Sequence, residues 1–239
     1  MRHEDLLNWN KEIKELPVFE KIKYILDTIP GKKVFSTSFG IEDQMITDIL
    51  YNYVEKVEVF TLDTGRNFEE TYDVFQSSQI KYKNFKFKIY YPDEKDIREY
   101  VEEFGINGFY RSIENRKQCC YIRKVIPLAR ALKEANLWIT GLRAEQSPNR
   151  ENMHFLEWDD THNLIKFNPL LNYTLKEVEE YIKQNQVPIN RLYKKGYLSI
   201  GCAPCTRALQ EGEDFRAGRW WWENGKKECG LHIHKDKNN

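Results

Sequence analysis

Long hydrophobic runs are missing from this sequence of 239 residues. Met1 to Leu16 interleaves Arg2, Glu4, Asp5, Lys11, Glu12, Lys14 and Glu15 with its apolar residues, and no later stretch stays apolar for long. Neither a secretory leader nor a membrane span is expected, and the expected location is cytoplasmic. An excess of either charge is missing too: 37 Lys and Arg balance 37 Asp and Glu. The composition therefore offers no nucleic-acid footprint and no attraction to an anionic membrane, and no nucleic-acid partner is expected. Cysteine is scarce and odd in number, five in all. Four of them sit in close pairs, Cys119 with Cys120 and Cys202 with Cys205, which is unlike a secreted disulfide framework and favours a reducing compartment. There are no internal repeats and no low-complexity linker to mark a firm domain boundary. The Gly-Lys-Ser/Thr ending of a Walker loop is also absent, so cleavage of ATP between its outer phosphates is not implied.

What is present suits a globular enzyme: 41% hydrophobic residues with 14% aromatics supply a core. Short apolar runs alternate with helical patterns, the signature of a mostly parallel sheet with flanking helices in an α/β fold. Lys33 to Ser36, Val57 to Leu62 and Leu137 to Thr140 read as strands, and Phe85 to Tyr90 as extended. Glu42 to Val54, Phe68 to Gln79 and Cys120 to Ala135 read as helices. Thr174-Leu175-Lys176-Glu177 has the form of a capping box, with a helix expected to run to about Gln186 before Pro188. Glu211 to Gly230 keeps no sustained period. The expected organisation is one α/β unit over residues 1–208 followed by a mobile tail, 209–239, that carries Cys229.

The two cysteine pairs provide four thiolates, enough for a cubane iron–sulfur cluster or a structural zinc. Adjacent cysteines reach a single tetrahedral ion poorly and neighbouring irons more easily. Buried structural cysteines and Cys-x-x-Cys redox chemistry stay open as alternatives. Cys229 stands apart among Lys226, Lys227 and His232, which favour the thiolate, so it reads as an exposed, activatable nucleophile or a stray surface thiol. Ser36-Thr37-Ser38-Phe39-Gly40, between a strand and a helix, has the small residues of a phosphate-wrapping loop or an ordinary turn. Leu62-Asp63-Thr64-Gly65 ends the second strand where open α/β sheets bind ligands, and Asp63 could equally cap a turn. Basic residues gather near these places: Lys117, Arg123 and Lys124; Arg143 and Arg150; Arg207, Arg216 and Arg219. They read as an anion site or a solvated face. Trp220-Trp221-Trp222 cannot all enter one core from a helix or strand, so packing or lid closure is expected.

These motifs, in this order from about Val34 to His232, resemble the adenylyl-sulfate and phosphoadenylyl-sulfate reductase family. The most specific stretches are Lys117-Gln118-Cys119-Cys120 with Arg123-Lys124, and Thr140-Gly141-Leu142-Arg143 with Gln146-Ser147. They continue in Ser199-Ile200-Gly201-Cys202-Ala203-Pro204-Cys205-Thr206-Arg207 and Glu228-Cys229-Gly230-Leu231-His232. The resemblance implies an adenine-nucleotide alpha-hydrolase-like fold of the PP-loop type. It implies a [4Fe-4S] cluster on Cys119, Cys120, Cys202 and Cys205, the set that marks members using adenosine 5′-phosphosulfate rather than the 3′-phosphorylated substrate.

It also places Ser36 and Ser38 in the modified loop, Leu62 and Gly141 near the adenosine, and Arg143 and Arg150 among the substrate contacts. Lys124, Arg150, Arg216, Arg219 and His232 are expected to face the phosphosulfate. Cys229 would take the sulfonate as S-sulfocysteine, and thioredoxin or glutaredoxin would release sulfite. A homo-oligomer is compatible with this. One departure is Glu69, where the family often has proline. The thioredoxin-like domain fused to plant relatives is expected to be absent after His232. A reductase accepting the 3′-phosphorylated substrate, a PP-loop RNA-thiolating enzyme and a cluster- or zinc-binding nucleotide sensor are the alternatives.

Overall fold

The computed structural model describes residues 3–147, 150 and 152–223. Six strands form one sheet: β1 (Lys32–Ser36), β2 (Glu58–Leu62), β3 (Lys88–Tyr90), β4 (Ala135–Ile139), β5 (Leu156–Asp159) and β6 (Leu164–Phe167), in the order β3-β2-β1-β4-β6-β5. β1 runs parallel to β2 and β4, β4 runs parallel to β6, and β5 is the antiparallel edge. Strands buried on both faces read as continuous apolar runs, and here Val34, Phe35, Val59, Phe60, Leu137, Trp138, Ile139, Ile165 and Phe167 are all buried.

Eight α-helices accompany the sheet among the described residues: α1 (His3–Ile13), α2 (Val18–Thr28), α3 (Ile41–Leu50), α4 (Glu69–Lys81), α5 (Glu94–Phe104), α6 (Ile113–Cys120), α7 (Ile126–Leu132) and α8 (Leu175–Gln184). Their ends follow local chemistry. Thr174 and Glu177 form the expected capping box of α8. Asp93 accepts from Lys95 N to start α5, and Gly105, at φ 77°, ends it in a conformation that suits glycine. No described helix is long and apolar enough to cross a membrane.

Several expected elements differ in detail. The run Glu42 to Val54 is α-helical only to Leu50 and continues as a 3-10 segment, Tyr51–Lys56. The stretch Phe85 to Tyr90 forms a strand only over its last three residues. The helix expected over Cys120 to Ala135 is interrupted: α6 closes at Cys120, a π-helical turn spans Tyr121–Val125, α7 follows, and Ala135 already belongs to β4. The β5–β6 hairpin was not expected, because Lys166 breaks the apolar run. That lysine is nevertheless buried, 3.9 Å from Glu157 and over the Trp138 ring.

Two compact units divide the chain. The first holds Met1–Thr61, Glu69–Lys88 and Glu134–Arg191; the second holds Leu62–Phe68, Ile89–Lys133 and Leu192–Asn239. Within the first, Asp48 on α3 accepts hydrogen bonds from the hydroxyls of Tyr82 and Tyr181, both at 2.9 Å, and pairs with Lys81 at 3.3 Å. Burial and the Asp48 charge raise both phenols well above their ordinary value, so they stay protonated donors. Asp48→Ala leaves two phenolic donors without an acceptor and should lower the unfolding free energy by about 2–4 kcal/mol. The expected signature is an earlier urea midpoint at unchanged slope; an unshifted midpoint would mean that water replaces the carboxylate without loss.

Candidate functional site

In the first unit, the loop after β1 turns on Phe39, a non-glycine residue in the left-handed region at φ 59°. Its ring is buried and stacks on Phe75 at 4.9 Å, and its N–H donates to Thr37 Oγ1 at 3.0 Å. These contacts hold the unusual backbone. Asp43, in the first turn of α3, receives the Ser38 backbone N–H at 2.6 Å and the Ser38 hydroxyl at 2.7 Å, both on Oδ2. Its other oxygen fills the space beside Gly141, where an added Cβ would lie 2.1 Å from Oδ1. Ser36, the last residue of β1, accepts from the indole N–H of Trp138 at 2.8 Å. Asp43 and Trp138 went unremarked in the sequence, although Asp43 follows the serine loop closely enough to have been suspected.

Arg143 is almost wholly buried. It donates to Glu42 Oε1 at 2.9 Å and to the Tyr173 carbonyl at 3.2 Å, and it also pairs with Glu145. Gln146 reaches the same Glu42 oxygen at 2.9 Å and accepts from Arg150. Breaking such a buried pair by removing one partner typically costs about 3–5 kcal/mol. Arg143 thus has a structural load within the fold, whereas Arg150 is buried beside it at the rim of the same network.

In the second unit all four paired cysteines line one pocket, with Arg123 and Lys124 among its walls. The π-helical turn follows directly on Cys120 and carries both of these basic residues. Cys202 precedes a short 3-10 turn, Ala203–Cys205, with Pro204 inside it, and Ala203 N donates to Arg66 O at 2.8 Å. The hydroxyl of Thr64 lies 3.3 Å from Cys202 Sγ, and Arg123 donates to Thr64 O at 2.6 Å. Asp63 caps its own turn by accepting from Gly65 N at 2.9 Å. Leu62, the last residue of β2, is half-buried.

An isolated bridge between Thr206 and Arg219 and the bond from Trp220 N to Cys205 O, 3.0 Å, lay the last described segment against the cysteine turn. Trp220 is buried with Phe109 and Cys205, and the guanidinium carbons of Arg116 and Arg219 lie over its ring, 4.6 and 4.8 Å from the centroid. Arg116 is held by Glu223 through two bonds of 2.9 and 2.7 Å. Trp221 points outward, and Trp222 packs on Tyr110 with centroids 4.4 Å apart, so the three tryptophans do diverge. Arg216 lies in this same segment, its carbonyl accepting from Arg219 N.

The thiols differ in their ease of ionisation. Burial pushes Cys205 up to about 12, helped by the charges of Cys202 and Cys120, and burial likewise raises Cys119. Burial also acts to raise Cys202, but Lys124, the Thr64 hydroxyl, Arg219 and Arg123 together bring it below its ordinary value. Among the described residues no three His, Cys, Asp or Glu side chains gather closely enough to share one metal ion. Cys229 and His232 lie outside the described residues.

Residues 32–208 match the family described as the phosphoadenosine phosphosulfate reductase domain. The chain is 47% identical over 204 residues to the adenosine 5′-phosphosulfate reductase of Agrobacterium fabrum, covering 85% of this chain and 78% of that one. It is 46% identical over 225 residues to the enzyme of the same name from Rhizobium meliloti, covering 94% and 84%. Among solved structures, the phosphoadenylyl-sulfate reductase of Candida auris in a phosphate complex superposes with a TM-score of 0.74 at 29% identity, covering 87% of this chain and 98% of that one.

Burial raises the Asp43 carboxyl to about 7, outweighing the Ser38 donors that act to lower it, and the adjacent Glu42 adds to the rise. A native value above the ordinary 3.8 means that the folded protein binds the proton more tightly than the unfolded chain. The contribution of Asp43 is then greatest below about pH 4 and is lost as pH rises through about 7. Unfolding free energies of the wild type, taken relative to Asp43→Asn at each pH, should decline across that window and level off above it. A flat difference would show that Asp43 stays ionised throughout.

Proposed function

Because the chain belongs to the phosphoadenosine phosphosulfate reductase family, we propose that it reduces adenosine 5′-phosphosulfate to sulfite and AMP, with a dithiol protein such as thioredoxin as electron donor. The observation that carries this reading is the convergence of Cys119, Cys120, Cys202 and Cys205 on one pocket bounded by Arg123 and Lys124.

The four cysteines would hold a [4Fe-4S] cluster, and the pocket suits one. Four thiols that surround a common space fit a group that offers a separate iron to each. Three buried N–H groups of this unit, Arg123 Nε, Arg219 Nε and Trp220 Nε1, have no acceptor among the described residues. Buried donors ordinarily find partners, and sulfur atoms beside them would serve. When bound, the cluster supplies a fixed scaffold and a local charge, which tie the α6 pair to the Cys202–Cys205 turn.

The chain's own groups carry the chemistry. Ser36 and Ser38 would hold the nucleotide at the strand-end loop, with Leu62, Gly141 and Arg150 as further contacts. An anionic thiolate must approach an anionic sulfate, and two like charges about 4 Å apart repel by about 1 kcal/mol in water but about 4 kcal/mol at an effective dielectric near 20. Fixed cations offset this, and Lys124, Arg216, Arg219 and His232 are the residues assigned to it. The Cys229 thiolate attacks the sulfate sulfur, and the bond from sulfur to the bridging phosphate oxygen breaks. AMP leaves with that electron pair, and S-sulfocysteine remains. A thiolate of the reductant then attacks Cys229 Sγ and expels sulfite, and its second thiol resolves the mixed disulfide, so the two electrons come from the dithiol.

Anaerobically purified protein should carry about four irons per chain, and Cys205→Ser should lose them together with activity. Colourless protein holding one zinc would overturn the cluster. Sulfite release with thioredoxin should show a higher kcat/KM for adenosine 5′-phosphosulfate than for its 3′-phosphorylated form, both measured in one assay. Equal or reversed ratios would overturn the substrate. Without a dithiol, turnover should stop after one AMP with a sulfonate on the Cys229 peptide, and Cys229→Ser should bind AMP yet form no adduct.

A further inference from the structure

The two serines of the β1 loop differ in how their hydroxyls are engaged. A serine hydroxyl has one proton to donate and two lone pairs to accept with. Trp138 Nε1–H can only donate, so its 2.8 Å contact fills a lone pair of Ser36 and leaves the proton of Ser36 unassigned; no described residue accepts it. Ser38 is the reverse. Its backbone N–H and its hydroxyl both meet Oδ2 of Asp43, at 2.6 and 2.7 Å. Oδ2 of Asp43 accepts the Ser38 hydroxyl proton beside the amide hydrogen, so only the lone pairs of the hydroxyl are left. Both partners are buried and packed, Trp138 in the sheet and Asp43 against Gly141. The two orientations are therefore set before any ligand arrives.

The geometry points to Trp138 and Asp43 as positioning residues that fix the loop hydroxyls in opposite senses, Ser36 as the donor to an anionic phosphate oxygen and Ser38 as an acceptor from a nucleoside hydroxyl. This rests on the proposed reading of the β1 loop as the nucleotide site. It adds a division of labour that two neighbouring serines of the same loop would not otherwise have. An anionic oxygen placed at Ser38 would face lone pairs and the Asp43 carboxyl, whereas at Ser36 it meets a proton whose direction the indole restricts.

The test compares equilibrium binding of AMP and adenosine by calorimetry, using the full chain. A hydrogen bond to a charged oxygen is worth more than one between neutral groups. Ser36→Ala should therefore weaken AMP about ten- to a hundredfold and adenosine hardly at all, collapsing the AMP-over-adenosine ratio. Ser38→Ala should weaken both ligands by the same factor, about two- to tenfold, and leave that ratio where it was. Trp138→Phe keeps an aromatic ring at this position and removes the N–H. It should lower the ratio severalfold when Ser36 is present and leave it unchanged in the Ser36→Ala background, a coupling that general loosening of the core would not produce. Retained adenosine binding by Trp138→Phe shows that the variant is folded. If Ser38→Ala lowers the ratio as much as Ser36→Ala, or if the cycle shows no coupling, the polarity assignment is overturned and the nucleotide site stands. If AMP binds and none of the substitutions changes either affinity, the reading of this loop as the nucleotide site fails, and the inference with it.

Discussion

Two adjacent buried carboxylates, Glu42 and Asp43, organise the strand-end loops of the first unit, and most of what surrounds them is arranged to tolerate their burial. A parallel sheet brings several strand ends to one edge, where the following loops leave backbone groups in need of partners. The first turn of α3 reaches across that edge. Glu42 holds Arg143 and Gln146, from the segment after β4, while Asp43 ties down Ser38 in the loop after β1 and rests on Gly141. Acidic residues in a helix's first turn are favoured by its dipole, but burial of two side by side is costly unless each finds opposite charge or several donors. Glu42 has the guanidinium; Asp43 has only neutral donors and retains its proton more readily.

The second unit meets a different constraint. In a partly apolar pocket, burial above all, with the charge of a neighbouring thiol added, resists ionisation of Cys205 and Cys119. The surrounding architecture answers with cations on rigid supports. Arg123 is fixed to the Thr64 carbonyl, and Arg116 and Arg219 lie over the Trp220 ring, the first of these anchored by Glu223. Arg219, Trp220 and Glu223 come from the segment that pairs with the Cys202–Cys205 turn.

Much of this was legible before any coordinates. The capping box of α8, the apolar runs of β1, β2 and β4 and the paired cysteines are local signals, each written in a few adjacent residues. The β5–β6 hairpin escaped because a buried lysine interrupts β6, and its burial is made tolerable by partners outside that strand, Glu157 and the Trp138 ring. The break in the helix after Cys120 escaped because a π-helical turn has no composition of its own; it is imposed by packing. Arg143 read naturally as an anion ligand, since nothing in Thr140-Gly141-Leu142-Arg143 announces that Glu42 lies within 2.9 Å. The roles of Asp43 and Trp138 likewise depend on which atom of a serine each one meets. Residue type alone does not encode that.

The contact between Gly141 and Asp43 has a consequence for descent. A methyl group at position 141 would stand 2.1 Å from a carboxylate oxygen that has nowhere to retreat, with the Asp43 backbone nitrogen only 3.3 Å away behind it. Neither member can drift while the other keeps its present form. A larger residue at 141 becomes tolerable only after the acid has gone, and losing the acid first leaves the Ser38 amide and hydroxyl without their acceptor. The glycine and the aspartate, 98 positions apart in the chain, therefore constrain one another as a single steric unit.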